Sequence, residues 1–314
     1  MRTAIPFVAQ ISAKEKKVWL EALHRALPEQ AILPLEELTV AQRVAAEIAI
    51  VANPEPAHLA TLPNLQWVQS LWAGVETLLA ATQGAKFAIV RMTDPQLAET
   101  MAEAVLAWTL YLHRDMPRYR AQQTVRTWQQ HPLQLPSQRT VGLLGLGNLG
   151  KAAAQKLVQH GFTVWGWSRG QRSLAGVNTV SGDEGFIQIL QHSDILVCLL
   201  PFTRQTRQLL NQKTLRLLPT GASFINFARG AIVDTGALMD ALNSGGLSHA
   251  VLDVFEEEPL PPKSPLWSHP GITVLPHISA PTHKPTAALI AAQNIREFLR
   301  HGHIPPRVDR TLGY

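Results

Sequence analysis

The chain has 314 residues, 46% of them hydrophobic, and its 28 basic and 23 acidic residues leave a formal net charge of +5. That length is comfortable for two domains, and the apolar share excludes a disordered chain. No basic cluster is interleaved with aromatics, so the charge reads as a solvated surface that favours anionic ligands rather than as a nucleic-acid binder.

The opening stretch, "MRTAIPFVAQISAKEKK", meets charge too early for a signal-peptide core. The first third then mixes strands and helices: "TAIPFVAQI" (3–11), "VAAEIAIVANP" (44–54) and "LQWVQSLWAG" (65–74). It carries no phosphate-loop signature. No apolar stretch approaches the length of a membrane span, and "MAEAVLAWTLYL" (101–112), which contains Glu103, reads as a core helix.

From Thr140 short apolar runs alternate with helical segments. "TVGLLG" (140–145) is a buried strand, "GKAAAQKLVQHG" (150–161) a helix stopped by Gly161, and "FTVWGW" (162–167) the next strand. "GFIQILQHS" (185–193) is a helix, followed by the strand "DILVCLL" (194–200), closed by Pro201. The single cysteine, Cys198, lies in that strand. A buried inert thiol and no internal disulfide suit a reducing cytoplasm. Next come a helix "NQKTLRLL" (211–218), a strand "ASFINFA" (222–228), a helix "DTGALMDALNSGG" (234–246) and strands "HAVLDVF" (249–255) and "ITVLP" (272–276). Pro-rich "EEEPLPPKSPLW" (256–267) is expected to be an ordered loop, and "PTHKPTAALIAAQNIREFLRHG" (281–302) one long amphipathic helix. Strands alternating with helices predict α/β architecture with a parallel, doubly wound sheet. The expected division is a cofactor domain at 102–282 inserted in a smaller domain of 1–101 plus 283–314.

Gly145, Gly147 and Gly150 form G-x-G-x-x-G between a predicted strand and a predicted helix, the context a dinucleotide site requires. Gly145 permits the tight turn, Gly147 a close approach of backbone to pyrophosphate, and Gly150 close packing of helix on strand. Helix N-terminal N–H groups then face the phosphates. No Asp or Glu occurs between Gly150 and Asp183; "WSRGQR" (167–172) presents Ser168, Arg169 and Arg172 instead. A carboxylate there would bind a ribose 2′-hydroxyl and repel a 2′-phosphate, whereas arginine is a planar phosphate clamp. The stretch points to NADP(H), with NAD(H) as the less favoured cofactor. The competing reading is a solvated basic loop, stronger for Arg172 than for Arg169.

Three more stretches fall at predicted strand ends, where such sheets bind ligands: "NFARGAIVD" with Arg229, "LDVFEEEPLP" with Asp253 and Glu258, and "LPHISAPT" with His277. Reducing a ketone by hydride needs a cation to hold a substrate carboxylate and polarise the carbonyl, and an acid for the new alkoxide. Arginine suits the first role; histidine beside a carboxylate suits the second. Taken singly, His277 could be a structural histidine and Glu258 a surface acid.

Together, "LLGLGNLG", "NFARGAIVD", "LDVFEEEPL" and "LPHISA", in this order and spacing, resemble the D-isomer-specific 2-hydroxyacid dehydrogenase family from about Leu65 to the C-terminus. "WSRGQRS", "PLWSHPGITVLPH" and "VDRTLGY" are similar to its glyoxylate/hydroxypyruvate reductase A branch. The resemblance implies two doubly wound Rossmann-like domains, the cofactor domain inserted in a flavodoxin-like substrate domain. It implies Arg229, Glu258 and His277 as catalytic residues and Asp253 near the nicotinamide. It implies that "LWAGVETLL" presents the Ala73 and Gly74 amides to the substrate carboxylate, with Trp72 either walling the pocket or packing in the core. The implied cofactor set is Gly145, Gly147, Asn148, Leu149, Gly150, Ser168, Arg169, Arg172, Leu200, Pro201, Ala228 and Asp253, with no metal. The substrate would be a small 2-oxo acid. A two-fold contact through the apolar segment 101–128 would make the protein a homodimer. Phosphoglycerate-type dehydrogenases and non-catalytic dinucleotide sensors of the same fold stay open as alternatives.

Overall fold

The structure, a computed structural model, describes residues 4–313. Thr3, at the head of the first expected strand, and Tyr314, at the end of "VDRTLGY", lie outside the described residues. The chain divides into two compact units, Met1–Gln96 with Thr282–Tyr314, and Leu97–Pro281.

The first unit is built on five parallel strands, β1 (Ile5–Ala9), β2 (Ile32–Pro34), β3 (Ile48–Ala52), β4 (Trp67–Ser70) and β5 (Ala88–Val90), in the order β2-β1-β3-β4-β5. Successive side chains in a strand leave on opposite faces. Phe7, Ile50 and Trp67 therefore pack on one face with Trp19 and Leu23, and with Ala287, Ala291 and Ile295 of the closing helix Lys284–His301. Val8, Val51 and Val68 pack on the other with Leu35, Leu62 and Leu78. Covering both faces is what allows strands such as "IAIVA" to be apolar at every position.

The second unit carries seven parallel strands, β6 (Thr140–Leu144), β7 (Thr163–Ser168), β8 (Val177–Ser181), β9 (Ile195–Cys198), β10 (Ala222–Asn226), β11 (Leu247–Leu252) and β12 (Ile272–Val274). Their order is β12-β11-β10-β9-β6-β7-β8. The chain runs outward from β6 to β8, then crosses back to β9 on the other side. The order thus reverses between β6 and β9, and ligands bind outside the carboxyl ends of strands at such a reversal. The two parallel sheets make this the doubly wound, Rossmann-like α/β fold expected from the sequence.

Several local readings differ. β8 is missing from the sequence expectation because "VNTVS" is an edge strand with no buried residue, so it shows no apolar run. The helix in "NQKTLRLL" is one turn, Gln212–Leu215, held by Asn211, whose side chain accepts from the Lys213 and Thr214 amides. Laddering in "HAVLDVF" ends at Leu252. The helix expected at 101–112 spans Pro95–His113, entered through a proline in its first turn. Cys198 is fully buried, and burial pushes its thiol up to about 12. Among the described residues no helix is long and apolar enough to cross a membrane.

His249 of β11 is buried, and its Nε2 lies 2.9 Å from the Thr273 hydroxyl. Burial, followed by the charges of His269 and Arg120, lowers its pKa from 6.5 to about 4. The folded state therefore binds fewer protons than the unfolded chain. This contribution to stability is complete above about pH 6.5 and is lost as pH falls toward about 4. The linked loss is on the order of 3 kcal/mol. Urea unfolding across that window should show it. His249→Gln, which keeps a partner for Thr273 and removes the titration, should flatten the slope. An unchanged slope would place the acid sensitivity elsewhere.

Candidate active site

The glycine turn follows β6 directly. Gly145 has φ +105°, and a Cβ on it would approach the Leu199 carbonyl oxygen to 2.9 Å, so glycine is required on both counts. A Cβ on Gly150 would collide with the Gly145 carbonyl. Gly147 differs: nothing lies within 4 Å of where its Cβ would be. It caps the helix Asn148–Gln159, whose first-turn N–H groups, on Asn148, Leu149 and Gly150, have no carbonyl within the helix to reach. The turn is thus open at the one glycine where a phosphate needs to come close to backbone, and tight at the other two. The residues present fit a dinucleotide pyrophosphate. Leu200, Pro201 and Ala228 stand just past the ends of β9 and β10, the neighbours of β6.

At the end of β7, Arg169 and Arg172 are both exposed. Arg169 donates through Nη1 to Gln205 Oε1 at 3.3 Å. The Ser168 hydroxyl, expected to meet the cofactor, donates to the Gly170 carbonyl at 2.8 Å, so its proton is engaged within the turn.

The strand ends of β10, β11 and β12 bring Arg229, Glu258 and His277 onto adjacent loops. Asn226, the last residue of β10, shapes the arginine turn: its Oδ1 accepts from Ala228 N at 3.1 Å and its Nδ2 donates to Arg229 O at 3.2 Å. Arg229 Nη1 donates to the Ala228 carbonyl at 2.6 Å. A Cβ on Gly230 would collide with the Phe255 and Glu256 backbone, so this glycine lets the arginine turn lie directly against the loop that carries Glu258. Glu258 Oε1 accepts from Phe255 N at 2.8 Å, and its Oε2 is 2.7 Å from His277 Nδ1. The carboxylate is therefore anchored on its own loop and holds the imidazole by Nδ1, leaving Nε2 as the atom that can exchange a proton. The His277 side chain is 53% exposed.

His277 has φ +54°, a left-handed conformation unusual for a residue with a Cβ. Its two successors explain how it persists. Ile278 N donates to Asp253 Oδ1 at 2.7 Å and Ser279 N to Asp253 Oδ2 at 2.9 Å, and Asp253 is only 2% exposed. Asp253, expected near the nicotinamide, thus has both carboxylate oxygens committed to the histidine loop. Asn226 and this bracing role of Asp253 escape sequence reading, because a polar residue at a strand end shows its partners only in three dimensions. A cavity of about 390 Å³ is walled by Asn226, Gly230, Val233, Leu238, Leu252 and Phe255; Arg229, Glu258 and His277 do not line it.

The first unit holds the remaining candidates. Beyond β4 the chain turns at Trp72, whose N–H donates to Ser70 Oγ at 3.0 Å and whose carbonyl accepts from Met92 N at 3.0 Å. The N–H groups of Ala73 and Gly74 have no partner among the described residues. The Trp72 ring packs edge-on against Trp19, with centroids 5.8 Å apart, at the border of the core.

A reversed-order parallel sheet, a phosphate-accepting glycine turn and a carboxylate-held histidine define a dinucleotide-dependent oxidoreductase. Comparison with known proteins makes the class specific. Residues 106–279 match the family model described as D-isomer specific 2-hydroxyacid dehydrogenase, NAD binding domain. A D-isomer specific 2-hydroxyacid dehydrogenase of Xanthobacter autotrophicus Py2, in complex with NADPH and MES, is 36% identical over all of both chains with a TM-score of 0.93. An NADPH-dependent glyoxylate/hydroxypyruvate reductase of Sinorhizobium meliloti, in complex with NADP and sulfate, is 30% identical over all of both chains with a TM-score of 0.91. A probable 2-hydroxyacid dehydrogenase of Rhizobium etli CFN 42, in complex with NADP, HEPES and L(+)-tartaric acid, is 28% identical over all of both chains with a TM-score of 0.91. The chain belongs to the D-isomer specific 2-hydroxyacid dehydrogenase family of NAD(P)-dependent oxidoreductases.

Asp253→Asn tests the bracing of the histidine loop. Asparagine keeps one acceptor and sets an amide N–H₂ against the other backbone donor. An unsatisfied buried N–H costs about 1–3 kcal/mol, so turnover should fall by about one to two decades if that cost is expressed in the placement of His277. Steady-state turnover close to that of the parent enzyme would show that the loop holds its shape without Asp253.

Proposed function

We propose that the protein reduces small 2-oxo acids, glyoxylate and hydroxypyruvate foremost, to 2-hydroxy acids with NADPH. The carrying observation is the 2.7 Å pair of Glu258 and His277 on a loop held by Asp253. A bound nicotinamide supplies the hydride to the 2-carbon. His277 Nε2 gives its proton to the carbonyl oxygen, while Glu258 keeps the ring in place through Nδ1. Arg229 holds the substrate carboxylate with a planar fork and polarises the carbonyl. In the other unit, the unpartnered Ala73 and Gly74 amides are assigned to carboxylate binding. Family membership gives the reaction class, and the Sinorhizobium meliloti reductase supports the two named substrates.

NADP(H) is preferred over NAD(H) in this reading. Support comes from Arg169 and Arg172, from the lack of any acid between Gly150 and Asp183, and from the NADPH or NADP in the complexes of the three similar proteins. Gly145, Gly147, Asn148, Leu149 and Gly150 hold the pyrophosphate. We assign a homodimer as well. Trp128 is 96% exposed and Val125, Leu133 and Leu135 are exposed nearby in sequence, more apolar surface than a stretch of this length leaves in water. Light scattering reads the assembly directly, and a monomer at working concentration would refute it. The absence of a disulfide partner for Cys198 within the chain supports a cytoplasmic setting.

Two measurements test the reading. His277→Ala should lower turnover of glyoxylate with NADPH by roughly two to four decades, the scale of a general acid. Near-normal turnover would remove His277 from the role, and a best rate on phenylpyruvate would overturn the small-substrate assignment. The second is the ratio of catalytic efficiencies with NADPH and NADH. Arg169→Asp removes an attraction, adds a repulsion to a 2′-phosphate and offers an acceptor to a free 2′-hydroxyl. The ratio should fall by at least about one decade, and raising salt should erode the parent preference. A parent ratio favouring NADH would refute the cofactor assignment.

A further inference from the structure

The loop after β9, "PFTRQTR" (201–207), starts at Pro201 of the expected cofactor set; its other residues have none of the roles above, yet the loop touches two of the site's components. It is braced internally: Thr206 Oγ1 donates to the Pro201 carbonyl at 2.8 Å, Thr203 N donates to Thr206 Oγ1 at 2.8 Å, and Thr206 N donates to Thr203 Oγ1 at 3.2 Å. It is also tied outward. Gln208 N donates to the Ala231 carbonyl at 2.9 Å, and Arg207 pairs with Glu256 at 3.1 Å. Gln205 stands on this braced loop, and its Oε1 accepts from Arg169 Nη1.

Arg169 starts from an equally defined backbone, since Ser168 is paired with Ser181 of β8 and its hydroxyl closes the turn on Gly170. Between two fixed ends lies an exposed arginine side chain. Such a chain is rich in rotamer freedom, which phosphate binding would otherwise have to remove. A tether on a guanidinium N–H donor restricts the fork before ligand arrives. The tether is a neutral amide oxygen. A carboxylate at the same place would hold Arg169 as well but would cancel the charge that attracts a phosphate.

From this we propose that Gln205 is a positioning residue for cofactor selection: it holds the Arg169 guanidinium in place to receive the 2′-phosphate of an adenosine ribose. The proposal rests on the NADP(H) reading of the previous section and goes beyond it by adding a residue, on a different loop, that acts through Arg169.

The test is calorimetric binding of two fragments, adenosine 2′,5′-bisphosphate and adenosine 5′-monophosphate, to four proteins: the parent, Gln205→Ala, Arg169→Ala and the double variant. Gln205→Ala should weaken the bisphosphate by about three- to tenfold, the worth of one exposed hydrogen bond to a charged group, and should weaken the monophosphate less. In the Arg169→Ala background the same change should cost almost nothing, because a residue that acts through Arg169 has nothing left to position. Gln205→Glu should weaken the bisphosphate more than Gln205→Ala does. An equal loss for both fragments, an equal loss in both backgrounds, or a tighter bisphosphate complex in Gln205→Glu would each overturn the proposal. Failure of the underlying reading is separately visible: a parent protein that binds both fragments equally well rejects the 2′-phosphate assignment before any Gln205 variant is measured.

Discussion

Both carboxylate oxygens of Asp253 accept backbone amides from the two residues after His277, and the active-site geometry hangs on that contact. Asp253 is buried, so its charge is tolerable only because two donors meet it. The same donors belong to a loop whose first residue has a left-handed backbone that costs free energy for a side chain with a Cβ. The two hydrogen bonds offset both costs. Removing the acid frees the loop; removing the loop strands the acid. The imidazole of His277 is consequently carried on a constrained backbone although its side chain is more than half exposed. Glu258 then needs to set only the ring's rotation, and its second oxygen is anchored on Phe255 N so that it can do so.

A second constraint works by subtraction of atoms. Arg229 and Glu258 come from loops after different strands, β10 and β11, and side chains on both loops would hold them apart. Gly230 removes the obstacle at the point where the turn meets the Phe255 and Glu256 backbone. Gly145 and Gly150 do the same for the turn after β6, where backbone meets Leu199 and the helix start. Gly147 faces open space, so its missing side chain makes room for a ligand rather than for protein. One residue type thus serves two ends, and the surroundings of each glycine tell them apart.

Legibility in the sequence follows from this physics. Strands buried on both faces announce themselves as apolar runs, so β6, β9, β10 and β11 of the second unit are readable; the strand order, with its reversal between β6 and β9, is seen only in the structure. β8 is silent because an edge strand with half-exposed residues needs no such run. Arg229, Glu258 and His277 are legible as chemistry at strand ends, and the sequence resemblance implies that they share one site. Their supports are not legible. Asn226, Asp253 and Gln205 act through backbone amides or through another side chain, and neither kind of partner leaves a periodic trace. Trp72 shows the limit from the other side. Its neighbours in sequence form the turn proposed to bind a carboxylate, yet its ring lies edge-on against Trp19 at the border of the unit's core. Position along the chain points to one role and packing to the other.

Cofactor selection under the proposed assignment depends on weak forces used in combination. Arg169 and Arg172 are exposed, and an exposed ion pair is screened by salt and worth little alone. The stretch without acids, from Gly150 to Asp183, therefore matters as much as the arginines. It withholds the acceptor that a free 2′-hydroxyl would use, and it removes a repulsion that a 2′-phosphate would meet. Discrimination is the difference between two affinities, so a withheld contact on one side counts equally with a gained contact on the other. Restricting the arginine fork raises the gained contact without adding charge, and a neutral side chain is suited to that task. Glutamine reaches Arg169 from a braced loop, accepts one hydrogen bond and adds no negative charge beside the arginine. A selective site on an open surface can in this way be assembled from one arginine, one amide and the omission of a carboxylate.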